Sequence, residues 1–161
     1  MVAPVVFRLA KRILPVAIAV AALAGPASAA TLSRPEASLL REMNNVRTAY
    51  HLGSLRADAT LQRAARSHST DMLRRKYFAH GDFGLRMRRF HIAGSFAGEN
   101  LAWGVGARAA AQTIVAEWLA SPEHRANLLR PGFRRVGLAT IVGSFSGHAG
   151  ATVVTADFAG A

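Results

Sequence analysis

The chain has 161 residues, a formal charge of +11, 51% apolar residues and no cysteine. That length fits one domain with a short appendage, and the apolar fraction is that of a globular chain, not a disordered one. The missing cysteines exclude a disulfide scaffold, a thiolate metal site and a cysteine nucleophile.

Residues 1–29 read as an export signal. Arg8, Lys11 and Arg12 precede the uncharged apolar run Ile13–Leu23, and Ala27-Ser28-Ala29 supplies the small-x-small pattern ahead of a cleavage site. The run is about half the ~20 residues a spanning helix needs, so no transmembrane helix is expected once the signal is removed. No cysteine follows it, so lipoprotein processing is not expected either. The expected mature domain is 30–161, with its charge lowered to +8 by loss of three basic residues. A domain of that size can fold in an oxidising compartment by packing alone.

Ser33-Arg34-Pro35-Glu36 is a capping box with proline in the first turn, and Leu39, Leu40, Met43, Val46 and Tyr50 follow at helical spacing until Gly53. Asp58 caps a second helix whose apolar stripe is Leu61, Ala64, Ala65, His68 and Met72. Tyr77–Gly81 breaks the period and reads as a loop. A short basic helix is expected around Leu85–His91, and a glycine-punctuated stretch from Gly94 to Gly106. Arg108–Ala120 reads as a third long helix, and Ser121-Pro122 ends it and starts a short one through Leu129. Val136–Val142 and Ala151–Phe158 are β-branched runs on either side of a Gly/Ser-rich turn, Gly143–Gly150, which predicts an antiparallel hairpin.

Four stretches in order resemble the CAP domain family, also called the SCP or pathogenesis-related-1-like family, in its bacterial branch. They are Asn44-Asn45-Val46-Arg47; Leu61 to Met72 followed by Phe78-Ala79-His80; Gly98-Glu99-Asn100-Leu101; and Trp118 to Leu129 with Ser121-Pro122, His124-Arg125 and Asn127, followed by Val136-Gly137. Thr155-Ala156-Asp157-Phe158 sits where the family places its last core strand. The resemblance covers nearly the whole expected mature domain. It implies an α+β fold, an α-β-α sandwich with a small antiparallel sheet between helical layers.

The resemblance further implies a cleft lined by His80, Glu99 and His124. Two neutral imidazoles and a carboxylate can hold Zn²⁺ or another divalent ion with one position open. A Glu–His pair without metal can orient a tautomer and supply a general base. The assignment is therefore His80 and His124 as metal ligands and Glu99 as the catalytic candidate, with a carboxylate accepting turn N–H bonds as its bland alternative. The chain departs from the family's larger members at Ser121, where they carry a second glutamate; Glu117 points off by about 100° from its neighbour and is a poor substitute. His68 with Asp71 is expected to be a satisfied core pair, and His51, His91 and His148 surface residues. Asn44, Arg47, Asn100 and Asn127 are expected to be structural, and Trp103 and Trp118 to be core.

Eighteen of the twenty basic residues are arginine. Arg74-Arg75-Lys76, then Arg86, Arg88 and Arg89, cluster near the His80 loop, and Arg125, Arg130, Arg134 and Arg135 lie around His124. Such clusters attract anionic partners. No recognition helix or aromatic-interleaved strand points to specific nucleic-acid readout. The leading expectation is a secreted monomer, extracellular or periplasmic. It would bind an apolar ligand or an anionic envelope component, touching membranes only peripherally. The alternatives are a metal-assisted peptidase or nuclease using His80, Glu99 and His124, and an adhesion module with a vestigial cleft.

Overall fold

The computed structural model describes residues 30–160; the expected export signal lies outside the described residues. Helix α1 (Arg34–Ala49) starts as the capping box requires, with Ser33 Oγ accepting from the Glu36 N–H and Glu36 Oε2 accepting from the Ser33 N–H at 2.8 Å. Strand β1 is only Arg56–Ala57. Asp58 then caps α2 (Ala59–Arg75) by accepting from the N–H groups of Thr60 and Leu61. Lys76, in the left-handed region at φ 58°, ends it. There follow α3 (Phe83–Arg89), β2 (Ala97–Gly104), a 3-10 turn (Gly106–Ala109), α4 (Ala111–Ala120), α5 (Pro122–Leu128), β3 (Phe133–Phe145) and β4 (His148–Gly160).

Three expectations need correction. The glycine-punctuated stretch contains a full strand, β2, because Glu99, Leu101 and Trp103 alternate with Asn100 and Ala102 across the pleat. The third long helix is split, its first residues forming the 3-10 turn. The hairpin is longer than its β-branched runs, turning only at Ser146-Gly147, both at positive φ, as a two-residue hairpin turn demands.

The strand order is β1-β3-β4-β2, with β1 parallel to β3 and the other pairs antiparallel, so the sheet is mixed. On β4, Val154, Ala156 and Phe158 pack into the main core with Leu39, Met43, Ile114 and Trp118 from α1 and α4. Val153 packs on the opposite side with Met72 and Leu73 of α2, while Ala159 meets Leu61, Ala64 and Met87. The result is a sheet between two helical layers, as the resemblance implied. At Gly137 a Cβ would overlap the main chain of Leu61 and Gln62, so α2 rests directly on the backbone of β3.

Two fully buried charges tie the layers. Glu36 accepts from Gln62 and Arg66 of α2 and from the Thr140 N–H of β3. Arg47 donates to four carbonyl oxygens, of Gly53, Leu128, Arg130 and Phe133, at 2.8–3.2 Å.

Candidate functional site

The Gly98-Glu99-Asn100 segment is the middle of a strand, and the pleat sends its side chains to opposite faces. Asn100 points toward α5, where its Nδ2 donates to the carbonyl of His124 at 2.9 Å. Asn127 of α5 returns the tie, donating to Glu99 O and to Asn100 Oδ1, each at 3.0 Å. A Cβ at Gly98 would overlap Asn127 Oδ1, so glycine there makes room for this lock. The two motifs, 24 residues or more apart in sequence, thereby fix where His124 sits.

Glu99 points the other way, toward α2 and α3, and is 6% exposed. His80 Nδ1 lies 2.7 Å from its Oε1, and Arg86 Nη2 bonds its Oε2. His68 Nε2 is 3.8 Å from Oε2, outside hydrogen-bond range. The His80 loop is pinned twice more: His68 Nε2 is 3.0 Å from the Ala79 carbonyl, and Arg86 Nη1 donates to the His80 carbonyl at 3.1 Å. The His80 side chain is left 54% exposed with Nε2 outward. Directly across the β2–β4 pair from Glu99 stands Asp157, wholly buried. Its only cation nearby is Arg86, 3.7 Å from Oδ1, and neither oxygen has a hydrogen-bond partner among the described residues.

That arrangement decides the protonation states. Burial pushes the Glu99 carboxyl up to about 7 against the pull of Arg86. Burial, and then the adjoining Glu99 charge, push Asp157 well above the usual carboxylate range. A carboxylate with no hydrogen bond in the interior is costly, which favours the protonated acid at Asp157. Burial, followed by the Arg86 charge, lowers His68 to about 4, which keeps it neutral. His124 is also lowered, first by burial and then by the charge of His80.

The family model for CAP, the cysteine-rich secretory protein family, matches residues 40–158. The chain belongs to the CAP family. It is 33% identical over 113 residues to the protein YkwD of Bacillus subtilis, covering 67% of this chain and 43% of that one. An extracellular SCP-domain protein of Bacillus anthracis superposes with a TM-score of 0.64 at 25% identity, covering 83% of this chain and 45% of that one. An outer surface protein of Borrelia burgdorferi shares the fold, with a TM-score of 0.63 at 21% identity over 74% of this chain and 87% of that chain. The chain thus spans less than half the length of its two Bacillus relatives.

In this CAP domain, His80 and Glu99 touch, and the Asn100–Asn127 lock holds the main chain at His124. Glu99 already accepts from His80 through Oε1 and from Arg86 through Oε2. Among the described residues no group of three His, Cys, Asp or Glu could hold an ion. A divalent ion here would rest on His80 and His124 alone. The expected His68–Asp71 pair is a correction: Asp71 instead accepts from Tyr77 Oη at 2.8 Å and from Arg74 and Arg75, while His68 turns to the loop carbonyl. His51, His91 and His148 are exposed as expected, and Trp118 is core, with Nε1 donating to Leu101 O. Sequence reasoning gave Arg86 and Asp157 no part in the site. An aspartate amid the β-branched, apolar run of β4 is the signal that exposes the second, because such a strand has no solvated face to spend on it.

Proposed function

We propose that this CAP domain is exported and works as a binding module. Its cleft, at His80 and His124, takes an amphiphilic ligand by hydrogen bonding to its polar end. The observation that carries this reading is the double engagement of Glu99. With Oε1 on His80, Oε2 on Arg86 and a side chain only 2% exposed, Glu99 faces protein donors rather than the solvent that a hydrolase's general base draws on. What the site does present is a half-exposed imidazole at His80, a half-buried one at His124, and an exposed Phe78 two residues before His80. Both the residue 1–29 pattern and the extracellular B. anthracis neighbour support export. Among the described residues no helix is long and apolar enough to cross a membrane.

Titration with a dansylated long-chain fatty acid tests the cleft. The His80→Ala, His124→Ala double variant is expected to bind about tenfold more weakly, the loss of two modest hydrogen bonds. Equal binding by parent and variant would overturn the reading, as would peptide or nucleic-acid hydrolysis that Glu99→Gln abolishes. A carboxylate behind an imidazole Nδ1 is also the arrangement found behind metal-bound histidines. A second reading therefore gives His80 Nε2 and His124 a shared divalent ion, and zinc calorimetry on the same double variant tests it.

A further inference from the structure

We propose that the groove between α2 and α3 binds a linear, phosphate-bearing polyanion. It encloses about 900 Å³, and its lining carries six arginines, Arg63, Arg66, Arg74 and Arg75 from α2 and Arg86 and Arg89 from α3, against the carboxylates of Asp71 and Asp82. Arg66 and Arg86 are paired with Glu36 and Glu99 behind the groove wall, which leaves an excess of two positive charges facing it. Asp71 is shared between Arg74 and Arg75, and Asp82 is engaged in capping α3 through the Leu85 N–H. Arg63 bonds only the Thr60 hydroxyl, and Arg89 has no side-chain hydrogen bond or ion pair among the described residues.

Spacing argues for a chain rather than a single anion. Arg63 and Arg74 are eleven residues apart on one helix, about 16 Å along its axis. One phosphate cannot reach both ends, whereas successive phosphates along a strand can. The inner wall adds an independent pointer. Arg86 is nine-tenths buried, lines the groove, and has a buried Nε–H with no partner among the described residues. Guanidinium forks suit phosphate oxygens, and Arg63, Arg74, Arg75 and Arg89 present theirs exposed along the groove.

The composition of the lining separates phosphate chains from other polyanions. Tyr77 is already occupied, edge-on to His68 and covered by Arg75, so it offers no stacking platform for bases. Leu85 is the one exposed large apolar side chain in the lining, too little to seat a bilayer surface. The proposal does not rest on the cleft reading, since the fatty-acid titration probes His80 and His124 and leaves Arg63 and Arg89 untouched.

Calorimetric titration of the exported chain with inorganic polyphosphate, over a series of salt concentrations, tests it. Binding is expected to weaken as salt rises. Arg63→Gln, Arg89→Gln is expected to lose about tenfold in affinity and to flatten the salt slope by about two, with an unchanged melting temperature. Arg41→Gln, Arg108→Gln, outside the groove, is expected to lose less than about twofold. Three results would each overturn the proposal: equal losses in the two variants, absence of binding at low salt, or binding to phosphatidylglycerol vesicles or duplex DNA in preference to polyphosphate.

Discussion

Replacing Arg47 with leucine should destabilise the domain by about 4 kcal/mol, the range seen when a buried charge network loses one partner. The reason lies in the geometry of the guanidinium. Among the described residues it has no carboxylate counter-ion; four main-chain carbonyls, from the loop after α1, the end of α5, the loop after it and the start of β3, solvate it instead. Burial, with help from the charge of Arg134, lowers its pKa from the usual arginine value, yet it stays charged. Leucine removes every donor and leaves those carbonyls bare, each costing on the order of 1–3 kcal/mol where water cannot reach. Thermal denaturation should register a fall of roughly 10–20 °C. Arg47→Lys should fall between, because an ammonium cannot fork to carbonyls on opposite sides. A drop of only a degree or two in the leucine variant would mean the carbonyls find other partners. The loss also reaches the cleft, since Leu128 and Arg130 bracket the end of the helix that carries His124.

Asp157→Asn should make the protein more stable at pH 8 and nearly neutral in effect at pH 5. A carboxyl whose folded pKa exceeds its unfolded value binds more protons folded than unfolded between the two, so stability declines as pH rises through that interval. For Glu99 the interval runs from 4.5 to about 7, and for Asp157 it begins at 3.8 and extends well above. The parent should therefore lose stability steadily from about pH 5 to 8, as the buried pair is forced to ionise beside the single Arg86. Asparagine is nearly isosteric, stays neutral, and offers Arg86 an acceptor without a second negative charge. The variant's melting curve against pH should be flatter, with a gain of about 1–3 kcal/mol at the alkaline end. Parallel curves for parent and variant would show that Asp157 is ionised throughout.

The parts of the fold legible in sequence were those set by neighbours along the chain. Ser33 with Glu36, and Asp58 with the stripe from Leu61 to Met72, define their helix starts through contacts within one turn. β2 escaped notice because Gly98 and Gly104 are strand breakers in isolation; only Asn127, on another helix, explains Gly98. β1 is two residues long and exists because Arg135 and Val136 lie beside it. The site divides in the same way. His80, Glu99 and His124 were reachable by resemblance, and the structure puts the first two in contact. Arg86 and Asp157 were not, because one enters by helix packing and the other by strand register, 58 residues from Glu99. Reading His68 against Asp71 failed because a polar neighbour three residues away is less compelling than the loop carbonyl that folding brings to it.

The outer edge of β3 has a consequence for how copies of the protein meet. β1 covers that edge only at Arg135 and Val136, so residues beyond them would otherwise present bare N–H and C=O groups to any passing strand. Glu36, already capping α1, places Oε1 at the Thr140 N–H. A carboxylate buried at that point both takes a donor a foreign strand would use and repels the carbonyl it would bring. The same residue that begins the first helix thus guards the sheet against edge-to-edge association, a task that usually falls to lysines or prolines on the edge strand itself.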